Sequence, residues 1–263
     1  MDNKIALQMW TIRDYLAKDF VGAYESTAKI GYTGIEIGDM GRFSPREFKN
    51  MLDDLNLTCV GSHLLMDALE NDLQRVIDEN LSIGCRRLVL ACLDEARRKD
   101  IASYQRTADK LSEIAQELSS QAMTLSYHNH ACEFYDLGGK MGYEILFDGD
   151  NQSKLTAELD VYWVAYANED PVAWIKRLGG RLSILHMKDM EDSPDRAFCE
   201  VGAGVLDIPA IVKGGIDAGV EWFIVEQDEC KRDSLDCVRL SYDNLLKSLE
   251  SNRVSVAGRT GNK

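Results

Sequence analysis

The sequence predicts an α/β protein folded as a single (β/α)8 barrel, the TIM-barrel architecture, and three observations carry that expectation. Short β-prone apolar runs alternate eight times with segments of helical apolar spacing over about 245 residues, close to the ~250 that such a barrel typically takes. With four prolines and no polar or low-complexity linker in the interior, nothing divides the chain into two domains. A doubly wound open sheet shows the same alternation, but it usually carries Gly-x-Gly-x-x-Gly after an early strand, and that turn is absent. The barrel is assigned to residues 1–252, and the polar stretch 253–263 is read as a disordered tail.

The elements come in order along the chain. Residues 5–10 are an apolar strand, and 18–30 carry Phe20, Ala23, Tyr24, Thr27 and Ile30 at helical spacing until Gly31 stops the helix. The run 34–38 alternates as a second strand. Ser44-Pro45-Arg46-Glu47 then offers a capping box with proline in the first turn, ahead of the stripe Phe48, Met51, Leu52 and Leu55. The third unit joins a strand at 58–63 to a helix carrying Leu69, Leu73, Val76, Ile77 and Leu81, and the fourth joins 87–93 to a helix over 101–118. Residues 124–130 are too short and too β-prone for a helix and form the fifth strand, with a short helix near 143–147 after it, closed by Asp148-Gly149. The sixth strand spans 156–163, with Asp170-Pro171 opening the next helix. The seventh, 182–189, is separated by a long loop, 190–206, from a helix at 208–218; the eighth, 222–228, leads into a last helix over 234–249.

Composition narrows the function. A formal charge of −14 opposes both a nucleic-acid backbone and an anionic membrane, which leaves small-molecule or metal chemistry. No run reaches the ~18 apolar residues of a membrane helix, and Met1-Asp2-Asn3-Lys4 does not open a signal peptide, so the protein is placed in the cytoplasm. Seven cysteines without a Cys-x-x-Cys pair suit reduced thiols.

Barrel sites lie at the carboxyl ends of the strands, on inward-facing side chains. Taking alternate residues back from each strand end yields Gln8 and Trp10, Glu36, His63, His128 and His130, Glu158 and Asp160, His186 and Lys188, and Glu226 and Asp228. Only the fourth strand contributes nothing polar, and all four histidines of the chain fall in this set. Singly, each residue has an ordinary reading: Glu158 or Asp160 as a helix cap, Lys188 as a surface charge, Glu226 as one acid of an acidic protein. Together, four to six ionisable groups in one barrel mouth are costly unless a cation or a polar ligand holds them. Mixed imidazole and carboxylate donors suit Mn2+, Zn2+, Co2+ or Fe2+ better than an all-oxygen Ca2+ cage.

At these residues the chain resembles the sugar phosphate isomerase/epimerase family, the xylose isomerase-like barrels. The matching pieces are Leu7-Gln8-Met9-Trp10-Thr11-Ile12-Arg13-Asp14, Gly31-Tyr32-Thr33-Gly34-Ile35-Glu36, Tyr127-His128-Asn129-His130 with Glu133-Phe134, Glu158-Leu159-Asp160-Val161-Tyr162-Trp163, Asp170-Pro171-Val172, Leu185-His186-Met187-Lys188-Asp189-Met190, Glu200-Val201-Gly202-Ala203-Gly204, and the run Gly219 to Asp228. The resemblance implies a divalent ion held by His128, Asp160, His186 and Glu226, with Mn2+ first and Zn2+, Co2+, Fe2+ or Mg2+ as alternatives. His128 is a departure, because the family's usual ligand from the fifth strand is a glutamate that also moves a proton.

The implied activity is a metal-dependent isomerase, epimerase or lyase of carbohydrate metabolism that abstracts a proton next to the carbonyl of a sugar or keto-sugar. Glu226, His128 and Lys188 are the candidate catalytic groups. Trp10, Glu36, His63, His130, Glu158, Trp163 and Lys188 are the candidate substrate contacts, with Phe134 a further stacking surface. No basic cluster marks a phosphate pocket, which tilts the expectation to an unphosphorylated sugar. An oligomer is compatible with all of this. The rivals are a metal-dependent endonuclease, disfavoured by the charge and by only four histidines, and a non-catalytic sugar-binding barrel.

Overall fold

The β-prone runs become strands in a computed structural model that describes residues 4–147 and 154–260. They are β1 (Ile5–Gln8), β2 (Gly34–Ile37), β3 (Thr58–Leu64), β4 (Arg87–Leu90), β5 (Thr124–His128), β6 (Thr156–Asp160) and β7 (Leu182–Met187). A small antiparallel hairpin of β8 (Asp189–Met190) and β9 (Phe198–Cys199) precedes β10 (Trp222–Val225). Eight of these strands close a barrel in the order β1-β10-β7-β6-β5-β4-β3-β2, every neighbouring pair parallel. The chain is therefore a (β/α)8 barrel.

Helices start where side chains satisfy the first backbone N–H groups. Asp19, Asp100, Asp170 and Asp207 each accept from a backbone N–H at a helix start, and the capping box forms, with Ser44 N donating to Glu47 Oε2 at 2.9 Å. The same chemistry cuts the first and sixth strands shorter than their apolar pattern, and the fourth, seventh and eighth barrel strands also stop early, at Leu90, Met187 and Val225. Gln8 Oε1 accepts from Trp10 N at 3.1 Å and turns the chain into a 3-10 helix, Met9–Ile12, which runs on into the short helix Arg13–Lys18. Asp160 Oδ1 accepts from Trp163 N at 3.0 Å, so 161–163 belong to the helix Val161–Tyr166 instead of the sixth strand. The fifth strand ends at His128, and His130 precedes the 3-10 helix Ala131–Phe134. The loop 190–206 contains the hairpin, which the sequence pattern did not show. The last helix, Ser234–Thr260, runs past residue 249 and through part of the stretch read as a tail; 261–263 and the Asp148-Gly149 turn lie outside the described residues.

Outward-facing strand residues such as Leu7, Ile35, Leu88, Leu125, Leu159, Leu185 and Phe223 pack under the helices in one large core. The barrel interior holds a separate plug of Ala6, Val60, Ile184 and Ile224. Two residues further along three of these strands, the inward parity reaches Gln8, His186 and Glu226. Two register shifts adjust that floor. Val60 is extra between Ile35 and Glu36 in the β2–β3 pairing, and Ser183 is extra between Ala157 and Glu158 in the β6–β7 pairing. Bulges beside barrel sites re-aim side chains, and here each lies immediately before a buried glutamate.

Candidate metal centre

His128, Asp160, His186 and Glu226 come from β5, β6, β7 and the residue after β10, four strands adjacent around the barrel. All four are buried, and one donor atom from each lies within 4.8 Å of the others. His186 Nδ1 is 3.0 Å from Glu226 Oε2, and His128 Nε2 is 3.7 Å from Asp160 Oδ2. With Oδ1 of Asp160 occupied in capping, its Oδ2 faces the cluster and has no well-formed hydrogen bond although it is fully buried. Asn129, which the alternation leaves out of the inward set, fixes this geometry. Its amide donates to Asp160 O at 3.2 Å and accepts from Asp160 N at 2.9 Å, clamping the ends of β5 and β6 together. The signal for it was an amide side chain at a strand end flanked by two histidines.

Below this layer lies a floor of two carboxylates. Glu36 Oε2 accepts from His186 Nε2 at 2.7 Å and from Gln8 Nε2 at 2.9 Å, and is 3.0 Å from His63 Nε2. Glu158 Oε1 accepts from His128 Nδ1 at 3.1 Å, and is 2.8 Å from His63 Nε2 and 2.9 Å from His186 Nε2. A carboxylate that takes one ring N–H of a histidine aims the other nitrogen, here Nδ1 of His186 and Nε2 of His128, into the centre. Glu36 and Glu158, expected to touch substrate, have no exposed surface and do not line the cavity. They hold imidazoles instead. Gly61 is required beside them, since a Cβ there meets Glu36 Oε1 at 2.1 Å.

Charge in the mouth is lopsided. Burial favours a neutral Glu36 and a neutral Glu158, yet the neighbouring histidines hold both well below the carboxylate range. Burial opposes protonation of His63 and His186, but the same two glutamates override it, pushing His63 up to about 10 and His186 well above its usual value. His128 is driven well below 6.5 by burial and then by His186, and His130 falls to about 4 through burial and Lys188. Burial lifts Asp160 to about 6 against the pull of Lys188.

Lys188 is 1% exposed and its Nζ lies 2.7 Å from Glu226 Oε2, 2.7 Å from Asp228 Oδ2 and 3.0 Å from Asp160 Oδ2. It is thus far from the surface charge of its ordinary reading, and the three carboxylates keep it protonated despite burial. Five carboxylates (Glu36, Glu158, Asp160, Glu226 and Asp228) face three cations, His63, His186 and Lys188, and this excess of negative charge favours a divalent ion. Two imidazole nitrogens with two carboxylates also suit a first-row ion. The donor set fits such an ion.

The centre opens into a cavity of about 810 Å3 lined at that end by His63, His128, His130, Lys188, Glu226 and Asp228. Trp10 is 56% exposed at its rim, under the Arg13 guanidinium at 4.7 Å, while Arg13 also donates to Asp228 O at 2.7 Å. Trp163 tilts against His130 at 5.4 Å but lines a separate 260 Å3 recess with Tyr162, Tyr166 and Phe198. Phe134 is buried among Tyr143 and Trp174 and is a packing residue. Behind β5, Glu133 accepts from Tyr127 Oη at 2.9 Å and from His130 N at 2.7 Å, holding the turn that carries His130.

Known proteins share this architecture. A sequence model of the xylose isomerase-like TIM barrel family matches residues 24–239. A sugar phosphate isomerase/epimerase from Parabacteroides distasonis superposes with a TM-score of 0.81 at 21% identity, covering 95% of this chain and 96% of that one. An L-ribulose 3-epimerase has a TM-score of 0.69 at 14% identity, covering 97% of both chains. The IOLI protein, solved with a zinc atom bound, has a TM-score of 0.66 at 15% identity, covering 98% of this chain and 99% of that one. No curated protein sequence matches the chain. Among the described residues, no helix is long and apolar enough to cross a membrane.

Proposed function

The chain belongs to the xylose isomerase-like TIM barrel family, and from that premise we propose that it is a divalent-metal-dependent isomerase, epimerase or lyase that moves a proton next to the carbonyl of a sugar or keto-sugar. The observation that carries this reading is the convergence of His128, Asp160, His186 and Glu226 at the buried end of an open cavity. Mixed nitrogen and oxygen donors suit a first-row divalent ion, and the family resemblance puts Mn2+ first, with Zn2+, Co2+, Fe2+ and Mg2+ behind it. A bound ion supplies Lewis-acid polarisation of a carbonyl and its neighbouring hydroxyl.

The chain's own groups do the rest. Glu226 is ionised and lines the cavity, which suits it to take the proton. His128 has Nδ1 committed to Glu158 and Nε2 turned to Asp160, so as a ligand it has no nitrogen left to shuttle a proton. His130, neutral at pH 7 and lining the cavity, is better placed to return it. Lys188 places a fixed positive charge where negative charge develops on a substrate oxygen. His63 presents a donor to the sugar.

A second reading has one observation in its favour. Lys188 already lies within 3.0 Å of both candidate ligand carboxylates, Asp160 and Glu226, so its ammonium neutralises part of their charge in a metal-free sugar-binding barrel. Elemental analysis after Mn2+ reconstitution, joined to proton-NMR detection of deuterium uptake by a panel of ketoses in D2O, separates the two. One ion per chain and exchange abolished by EDTA support the enzyme. Failure to retain any divalent ion, with ligand binding indifferent to EDTA, supports the binding barrel.

A further inference from the structure

The cavity above the centre has two chemically different ends. Opposite His128, Lys188 and Glu226, its wall is made by Trp10, Leu16, Ala17, Phe20 and Leu65. Trp10 and Leu65 are 56% and 60% exposed, unusual for side chains of their size, and both face this space. At about 810 Å3 the cavity sits in the upper part of the ~300–1,000 Å3 range of pockets that enclose drug-sized ligands. A single sugar seated at the polar end leaves the apolar wall in water.

Charge at that wall also discriminates. Among the described residues, the cations lining the cavity are Arg13, Lys188 and His63, and all three are engaged, His63 by Glu36 and Glu158. Lys188 is ringed by three carboxylates, and Arg13 donates to Trp10 O at 3.0 Å and to Asp228 O at 2.7 Å. Asp39 adds a carboxylate near the apolar wall, its Oδ1 accepting from Gly41 N at 2.6 Å. Lys18 and Arg42 lie in an adjoining 360 Å3 recess beyond Phe20, outside this cavity. No cluster of cations offers a phosphate a site there, whereas Trp10, Leu16, Ala17, Phe20 and Leu65 offer an apolar group a surface.

We propose that the substrate is an uncharged sugar carrying an apolar substituent, with the sugar at the His128–Lys188–Glu226 end and the substituent against Trp10, Phe20 and Leu65. This rests on the proton-transfer reading for the sugar end alone; the apolar wall binds its part of the ligand whether or not that chemistry occurs. Trp10 offers a ring face to the substituent, Leu65 closes over it, and burying both removes apolar surface that is otherwise wet.

The test measures affinities of methyl and phenyl glycosides of glucose, galactose and xylose, with glucose 6-phosphate as the charged comparator. Calorimetry is run on the full chain with Mn2+ and again after EDTA. At least one phenyl glycoside is expected to bind about tenfold tighter than its methyl counterpart. Trp10→Ala and Leu65→Ser, both at exposed positions that leave the melting temperature unchanged, each reduce that preference to under threefold. Equal affinity for methyl and phenyl glycosides, no binding of any glycoside, tighter binding of glucose 6-phosphate, or a phenyl preference untouched by both substitutions each overturns the proposal. A phenyl preference that survives in protein that retains no metal and exchanges no deuterium leaves this inference standing while the proton-transfer reading fails.

Discussion

The two halves of the barrel mouth are built on different principles. The half formed by β5, β6, β7 and β10 carries its candidate ligand groups at or within a residue of strand ends, each held by a named partner: Asn129 on Asp160, Glu158 on His128, Glu36 on His186 and Lys188 on Glu226. The half formed around β1 and β3 presents Trp10 and Leu65 from outside the strands, both exposed. Buried charges tolerate no freedom, because an unpaired one costs several kcal/mol, while exposed apolar side chains beyond the strands can be exchanged at little cost. On the proposed reading, reaction chemistry is fixed at strand ends, and substrate choice is left to the short helices after β1 and the turn after β3.

The largest effect that breaks this contrast is expected at Glu226. Glu226→Gln keeps the shape, removes a ligand charge and the candidate base, and lowers turnover by about 10²–10⁴-fold, with melting shifted by only a few degrees. Turnover within a factor of a few of wild type removes Glu226 from both roles. Next comes the floor. Gly61→Ala sets a methyl 2.1 Å from Glu36 Oε1, against a fully buried carboxylate that holds His186 and Gln8. Metal affinity should fall by about 10–100-fold, as for other lost partners of ligand histidines, measured by calorimetric titration with Mn2+. A Gly61→Ala protein with native affinity means that Glu36 does not orient His186. Smaller again is Asn129→Ala, which loses both hydrogen bonds to the Asp160 backbone and costs about 1–3 kcal/mol of stability by urea unfolding. An unchanged midpoint denies the clamp.

These partners also mark what the sequence could and could not tell. The eight-unit alternation reports helix and strand because its periods differ, and the charged residues at strand ends report the mouth because parity is strict. Strand ends were overrun wherever a side chain on the strand itself caps the next helix, as Gln8 and Asp160 do; a propensity pattern carries no trace of such a hydrogen bond. Glu36 and Glu158 looked like substrate ligands because parity places them inward but gives no depth along the axis, and the bulges that set their depth lie in β3 and β7, not in their own strands. Asn129 and Gly61 were passed over for a related reason. One acts through the backbone of the next strand and the other by having no side chain, and neither is visible until the strands are side by side.

The smallest expected effect concerns how the two ligand histidines share the response to pH. From reference values near 6.5, both imidazoles would titrate as pH falls to 5.5, and replacing one with a carboxylate should make metal affinity less steep in pH. The structure separates them. Burial and the neighbouring His186 keep His128 well below 6.5, which favours its neutral form. His186 is held well above its usual value by Glu158 and Glu36 against its burial, which favours its protonated form, and it must release that proton to present Nδ1. For the metal-free protein the sign is that of a raised histidine: its stabilising contribution is complete below about 6.5 and is lost as pH climbs through the raised value. Metal affinity runs the other way, rising with pH by about one proton per ion from His186, and more steeply toward 5.5, where Asp160, lifted to about 6, must also be ionised to bind. Because His186 and Asp160 supply these protons, His128→Glu should bind Mn2+ with the same pH slope as wild type, within error, in calorimetric titrations at four pH values. A clearly shallower slope in the variant means that His128 titrates in this range and that the two imidazoles are equivalent after all; a slope near zero in wild type means that His186 is already neutral and that Glu36 and Glu158 do not hold its proton.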